Sequence, residues 1–153
     1  MIKHAKGDLL LVETGLIVHG CNAQGVMGSG VAKQIRETYP EAYSIYKNFL
    51  HNSRGNLLGK INPYYVNDNK FIINAITQST YGYEFKRYVS YDAIADAFTG
   101  LVQYIEKGLL PKLPICFPKI GAGLGGGNWD IISNIIDITV PDRYEKWLYE
   151  KIQ

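Results

Sequence analysis

The chain has 153 residues, a length typical of one domain with a single hydrophobic core. Hydrophobic residues make up 46% of it and charged residues 20%, which is the composition of a globular protein and excludes a disordered one. The formal net charge of only +2 argues against nucleic-acid binding by bulk electrostatics, and no apolar run reaches the roughly 20 residues of a membrane span.

Short apolar segments alternate along the chain with segments of helical periodicity. In chain order, the pattern predicts strands at 2–6 and 16–19, helices at 30–39 and 42–50, strands at 60–66 and 70–76, a helix at 90–107, a strand at 115–117 and a helix at 129–138. Residues 144–152 are compatible with a last strand or a short helix, and their composition favours a strand. The polar and aromatic residues 77–88 have no clear period and predict a loop. This alternation indicates an α/β fold in which helices cover both faces of a sheet.

Local signals support several of these boundaries. The first helix ends before Pro40, because the residue before a proline disfavours helical geometry. Asn128 is a suitable N-cap for the helix that follows it. Trp129 and Trp147 are interpreted as core anchors.

The cysteine and histidine content favours a protein of a reducing compartment. Cys21 and Cys116 both lie at the ends of strands predicted to be buried, and we interpret them as small core residues rather than as a disulfide or metal pair. The three histidines are scattered and lack metal-ligand spacing. The first residues do not resemble a signal peptide. We therefore expect a cytoplasmic monomer, with no membrane contact, no metal and no cofactor.

Two glycine-rich turns, at residues 19–30 and 121–128, each lie where an apolar strand gives way to a helix. Glycine lets backbone N–H groups approach a ligand closely, and the helix that follows adds unsatisfied donors and a partial positive charge. Two such turns facing each other can hold a diphosphate. The alternative is that both are tight structural turns, and the concentration of glycine in two loops of one small domain favours phosphate binding.

Four motifs in this order resemble the macrodomain family. Residues 7–9 resemble its adenine-reading acidic motif, and residues 17–22 resemble the strand that ends in its distal-ribose asparagine. Residues 28–32 and 121–125 resemble its two phosphate loops. The resemblance implies one macrodomain-like domain over residues 1–153, a three-layer α/β/α sandwich with a mixed central sheet that binds ADP-ribose. The substrate-binding residues it implies are Gly7, Asp8, Leu9, Asn22, Gly28, Ser29, Gly30, Val31, Gly121, Ala122, Gly123, Leu124, Gly125 and Gly126.

Within that family, residues 19–22, 39–42 and 57–60 resemble the branch that hydrolyses ADP-ribose 1''-phosphate to ADP-ribose and phosphate. A related branch removes ADP-ribose from glutamate with a loop lysine and an aspartate, where this chain has Gln78 and Gly125. We therefore expect a phosphatase for ADP-ribose 1''-phosphate. The alternatives are a non-catalytic ADP-ribose reader, and a hydrolase that removes ADP-ribose or acetyl groups from modified substrates, including ADP-ribosylated macromolecules.

Two residues are expected to carry the catalysis. His19 has an ordinary pKa of about 6.5, suited to proton transfer near neutral pH, although a core histidine bonded to backbone is equally compatible with the pattern. Asn22 follows an apolar strand, so its amide needs partners, which a ribose hydroxyl or a turn can provide. Strand alternation predicts that Cys21 faces away from Gly20 and Asn22. The mechanism that these residues support is attack by water assisted by His19, with backbone N–H groups stabilising the charge.

Further side chains are candidates for ligand contact. Asp8 is expected to accept a hydrogen bond from an adenine amino group. The alternative is a turn or cap residue after Gly7, and the order of the motifs favours the ligand role. Lys86, Arg87 and Lys119 are possible charge partners of phosphate, and exposed cations are more often simply solvated. The aromatic cluster of residues 81–88 is either loop packing or a contact surface for adenine or ribose.

Overall fold

A computed structural model describes residues 1–152. Over these residues a six-stranded sheet is flanked by four α-helices. The strands are β1 (Lys3–Lys6), β2 (Gly15–Asn22), β3 (Ile61–Asn67), β4 (Lys70–Gln78), β5 (Ile115–Phe117) and β6 (Lys146–Glu150). The helices are α1 (Gly30–Thr38), α2 (Pro40–Asn52), α3 (Tyr91–Glu106) and α4 (Trp129–Thr139), and a short 3-10 helix covers Leu9–Leu11.

The sheet is mixed, as predicted. Its strand order is β1-β6-β5-β2-β4-β3, in which β3 pairs antiparallel with β4 and the other neighbours are parallel. The antiparallel pair follows from the tight turn after Asn67, where the Asn69 N–H donates to the Asn67 side chain. The helix α2 begins at Pro40, two residues earlier than predicted, because proline is well suited to the first helical position.

Two helical layers cover the sheet, giving the predicted three-layer sandwich. Leu16 and Val18 of β2 pack on the side of α3 and α4, whereas Ile17 packs on the side of α1 and α2. This alternation is the period-2 signature of a strand buried on both faces. The described residues contain no helix that is both long and apolar enough to cross a membrane.

The topology places four connecting segments at the carboxyl edge of the sheet, which is where the parallel strands end. β1, β2, β4 and β5 all run in the same direction, so the segments that follow them leave from the same end of the sheet. β2 lies between β4 and β5, and the glycine-rich segments that follow β2 and β5 are therefore neighbours. In open α/β sheets this edge is where ligands bind.

Candidate ligand-binding site

A cavity of about 310 Å³ opens at this edge of the sheet. Three segments surround it: the first glycine loop (residues 23–29), the second glycine loop (residues 118–128) and the aromatic loop (residues 79–88). Of the predicted site residues, those lining this cavity are His19, Asn22, Gly28, Ser29, Gly30, Val31, Gly121, Gly123, Leu124 and Gly125. The two glycine-rich turns thus face each other across one space, which is what phosphate binding requires of them.

The N-terminus of α1 opens into this cavity. Its N-cap, Ser29, is extended, and its side chain makes no capping hydrogen bond to the described part of the chain. Residues 28–32 all line the cavity, and none of their backbone N–H groups donates to residues 1–152. Unsatisfied N–H groups at the start of a helix, together with the helix dipole, attract an anion.

The second glycine loop presents a matching set of donors. Internal bonds, from Gly127 N–H to Gly121 O (2.7 Å) and from Gly126 N–H to Gly123 O (3.0 Å), hold it folded. The N–H groups of residues 123–125 make no hydrogen bond within residues 1–152, and these residues line the cavity. Consecutive unpaired N–H groups of this kind form an anion-binding concavity.

A second cavity of about 300 Å³ adjoins the first. Val31, Pro118 and Lys119 line both, so the two cavities form one elongated groove. Gly7, Asp8 and Leu9 lie in the second cavity, where Asp8 caps the 3-10 helix by accepting the Leu10 N–H at 2.9 Å. Lys119 Nζ forms an ion pair with Glu150 at 3.4 Å. The four motifs of the sequence therefore lie along a single groove.

Two of the predicted binding residues, Ala122 and Gly126, are not among the described residues that line either cavity. A Cβ added at Gly126 would overlap the carbonyl oxygen of Lys86 and lie 2.9 Å from the Cα of Arg87. Gly126 also has a φ of +71°, which side-chain-bearing residues rarely adopt. The structure thus gives Gly126 a packing role between two loops.

The amide of Asn22 is engaged by the protein itself. Its Oδ1 accepts the Gln24 N–H at 3.0 Å and the Val26 N–H at 3.3 Å, and its Nδ2 donates to Val26 O at 2.8 Å. The buried Tyr46 hydroxyl also lies 3.0 Å from Asn22 Oδ1. Asn22 therefore finds its partners in the first glycine loop, which corresponds to the turn-forming alternative, and one N–H of Nδ2 is left for a ligand.

The side chain of Asn22 points toward α2, on which Tyr46 lies, and not away from Cys21 as strand alternation predicts. The pairing of β2 with β4 shifts register between Cys21 and Asn22, and this irregularity breaks the alternation. For Gly20 the alternation holds, because a Cβ there would point at Thr77 and Ile120, on the α3 and α4 side.

His19 lies on the α1 and α2 side of the sheet and is 1% exposed. Its Nε2 is 2.5 Å from Asn74 Oδ1, while Asn74 Nδ2 donates to Ala42 O in α2. The Nε2 atom therefore carries the proton of the neutral ring. Burial lowers the pKa of His19 to about 4, so the ring is uncharged at neutral pH. This environment does not favour the proton transfer near neutral pH that we expected of His19.

Cys21 shares this side of the sheet, with Sγ at 3.6 Å from His19 Nε2. Burial raises the pKa of the Cys21 thiol, so it is held in its protonated, weakly nucleophilic form. Burial also raises the pKa of Cys116 to about 12. Both thiols are buried and free. Among the residues that the structure describes, no group of three or more His, Cys, Asp or Glu could hold a metal ion.

The aromatic loop joins the two glycine loops. Ala23 N–H donates to Gln78 O at 2.9 Å and Gln24 Nε2 to Ser79 O at 3.0 Å. At its other end, Tyr88 N–H and Val89 N–H both donate to Gly125 O, at 2.7 and 3.0 Å. Its outer side chains project into solvent, since Tyr83 is 74% exposed and Phe85 is fully exposed. The sequence shows the aromatic residues but not these connections.

Comparison with known proteins gives three informative relatives. An uncharacterized 17.5 kDa protein of Enterobacteria phage T4 is 37% identical over 144 residues, which cover 90% of this chain and 88% of that protein. The DNA ADP-ribosyl glycohydrolase of Mycobacterium tuberculosis is 32% identical over 85% of this chain but only 36% of its own length. The ADP-ribose 1''-phosphate phosphatase of Candida albicans is 28% identical over 85% of this chain and 88% of that enzyme.

The fold has solved counterparts. The macrodomain of Thermus aquaticus DarG superposes with a TM-score of 0.80 and 25% identity, covering 98% of each chain. The family model described as Macro domain matches residues 18–136, which include both glycine loops and most of the sheet. Since this match spans well over half of the sequence, the chain belongs to the macrodomain family.

Proposed function

We propose that this domain binds ADP-ribose and its 1''-substituted derivatives, with the diphosphate between the two glycine loops. The observation that carries the proposal is the pair of free backbone N–H sets, residues 28–32 and 123–125, that line the same cavity. A diphosphate has oxygens on two adjacent phosphorus atoms, and donors on opposite sides of a groove can bind both. Such donors act without titrating near neutral pH.

The groove also suggests the orientation of the ligand. Asp8 in the second cavity uses Oδ1 for its cap, while Oδ2 accepts no bond from residues 1–152, so it can accept one from an adenine amino group. The distal ribose then lies in the first cavity, near Asn22, Gln78 and Tyr81. Lys119, which lines both cavities, is suitably placed to neutralise phosphate charge.

The reaction we propose is hydrolysis of ADP-ribose 1''-phosphate, the activity named for the Candida albicans relative. Water attacks the terminal phosphorus, the bond from phosphorus to the oxygen on C1'' breaks, and a proton from the water ends on that oxygen, so that ADP-ribose and inorganic phosphate are released. We assign the stabilisation of developing charge to the backbone N–H groups. The buried, neutral His19 then serves to position β2 against β4 and α2 through Asn74.

Calorimetry with ADP-ribose tests the proposed binding, and a phosphate-release assay on ADP-ribose 1''-phosphate tests the proposed hydrolysis. We expect measurable binding of ADP-ribose, and phosphate release well above that of a protein-free control. Binding without phosphate release would contradict the phosphatase activity and leave the reader function. A dissociation constant above the millimolar range would contradict the binding site itself.

A second candidate, removal of ADP-ribose from a macromolecule, is favoured by the aromatic loop. Tyr81 and Tyr83 line the first cavity, in which we place the distal ribose, and Phe85 is exposed beside them. Exposed aromatic side chains at this position can contact a large group attached to C1''. Incubation with an ADP-ribosylated oligonucleotide or protein distinguishes the two activities, because only the second releases an unmodified macromolecule.

A further inference from the structure

The hydroxyl of Tyr46 lies beneath the first glycine loop and holds it through hydrogen bonds to the main chain. It projects from α2, and the residue is 0% exposed. Its O–H donates to Asn22 O at 2.5 Å, and its oxygen accepts the Gly25 N–H at 3.2 Å. One buried side chain thus satisfies main-chain groups on both sides of the turn that leads to the N-terminus of α1.

A second tyrosine of the same helix completes this support. Tyr43, one turn before Tyr46, donates to Gly25 O at 3.3 Å. Both main-chain polar groups of Gly25 are therefore bonded to α2. Gly25 has a φ of +83°, which glycine adopts without strain, and because glycine is also the most flexible residue, the hydrogen bonds from α2 restrict a turn that its backbone alone would leave free. The buried Met27 packs in the same cluster as Tyr46 and anchors the next part of the loop.

The consequence concerns the donors of the proposed site. Residues 28–32 follow the turn directly, so the direction of their N–H groups depends on how the turn is held. If the Tyr46 hydroxyl is removed, Asn22 O and the Gly25 N–H both lose a buried partner, and the turn must move to find others. Donors that are misaligned by even a small shift bind an anion less well, because hydrogen bonds weaken steeply with angle.

We propose that Tyr46 is a positioning residue of the ligand site: its hydroxyl fixes the turn at Gly25 and thereby aims the N–H groups of residues 28–32 at the ligand. The inference rests on the proposed function, since it assumes that these groups bind phosphate. It adds to the site a residue of α2, a helix that does not itself line the cavity.

The experiment compares three tyrosine-to-phenylalanine variants, each of which loses only a hydroxyl. For Tyr46→Phe we expect ADP-ribose to bind about tenfold more weakly by calorimetry, which corresponds to about 1.4 kcal/mol. For Tyr43→Phe, which removes a single and longer bond, we expect a loss of about threefold. Tyr144→Phe is the matched control, because Tyr144 is 5% exposed in the core on the α3 and α4 side and should bind ADP-ribose like the wild type.

Amide hydrogen exchange provides a readout that general destabilisation would not reproduce. We expect Tyr46→Phe to accelerate exchange at Gly25 far more than at core strands such as β4. Uniform acceleration, or unchanged exchange at Gly25, would overturn the proposal, and so would unchanged affinity in Tyr46→Phe when the wild type binds. If the wild type itself does not bind ADP-ribose, the proposed function fails and with it the ligand-aiming role, whatever the exchange data show about the turn.

Discussion

The two glycine loops present free N–H groups to one cavity, but the protein holds them by different means. The first is fixed by polar side chains, namely Asn22 at the end of β2 and Tyr46 from α2. The second is fixed by close packing, where Gly126 fits against the backbone of residues 86 and 87 and Gly127 against the Val89 side chain. The same residue type thus serves different purposes in the two loops.

This difference shows which glycines can report on ligand binding. In the first glycine loop, a Cβ added at Gly25 or Gly28 would make only ordinary contacts, the nearest at 3.4 Å, and at the start of α1 one added at Gly30 meets no atom of residues 1–152 within 4 Å. In the second loop, a Cβ added at Gly123 also meets no atom of the described residues within 4 Å, whereas a Cβ at Gly125, Gly126 or Gly127 would overlap neighbouring atoms. Substitutions that test binding must therefore be chosen at Gly123, and those that test packing at Gly126.

The largest expected effect is at Gly126. An alanine there adds a Cβ that overlaps the backbone of Lys86 and must itself adopt the left-handed conformation of this position, for which we expect a loss of about 4 kcal/mol in the free energy of unfolding. Chemical denaturation of Gly126→Ala and of the wild type measures this loss. Gly123→Ala is the matched control, and we expect its stability to stay close to that of the wild type. Equal stability of the two variants would contradict the packing role of the second loop.

The next effect concerns His19, which lies on β2 beside the site and bonds to Asn74. Burial lowers the pKa of His19 from 6.5 to about 4, so above pH 6.5 the ring is neutral in both the folded and the unfolded chain. As the pH falls from 6.5 toward 4, only the unfolded chain takes up the proton, and stability is progressively lost, by about 3 kcal/mol in total.

His19→Gln removes this titration while keeping a donor for Asn74. We expect the wild type to lose more stability than the variant between pH 7 and 4, as measured by denaturation at each pH. The Val89 side chain and the backbone contacts that support the second loop do not titrate in this range. The difference in stability loss between the two proteins therefore reports on His19 and the β2 side of the site. Parallel pH profiles for the two proteins would contradict the buried, neutral state of His19.

The smallest effect on stability and the clearest effect on binding are expected at Gly123. Glutamate at this open position places bulk and negative charge where we propose that phosphate binds, so we expect ADP-ribose affinity to fall at least about tenfold, or 1.4 kcal/mol, with an unchanged melting temperature. Calorimetry and thermal unfolding on the same variant measure both. A stable Gly123→Glu protein with unchanged affinity would exclude the second loop from the site.

Much of the fold was predictable from local signals. The helices followed from apolar periodicity, and their ends from Pro40 and from Asn128, whose side chain accepts the N–H groups of Asp130 and Ile131. The last segment, for which a strand was favoured by composition alone, is a strand at Lys146–Glu150. These features depend on residues close in sequence, which is why the sequence sufficed for them.

The site was predictable only in outline. That His19 shares a face with Cys21 follows from their spacing of two, but its burial by Asn74 and α2 depends on residues 23 or more positions away. The irregularity after Cys21 and the fit of Gly126 against Lys86 likewise arise from long-range contacts. Motif order located the groove, whereas the partners of each side chain required the tertiary structure.

The most direct test of the central claim is a titration of isotope-labelled protein with ADP-ribose, followed through backbone amide resonances. We predict that the largest shifts fall on two separate sets of N–H groups, those of residues 28–32 and those of residues 123–125, at the same ligand concentration. Shifts confined to one of these loops, or centred elsewhere on the protein, would contradict the account in which both loops bind one diphosphate.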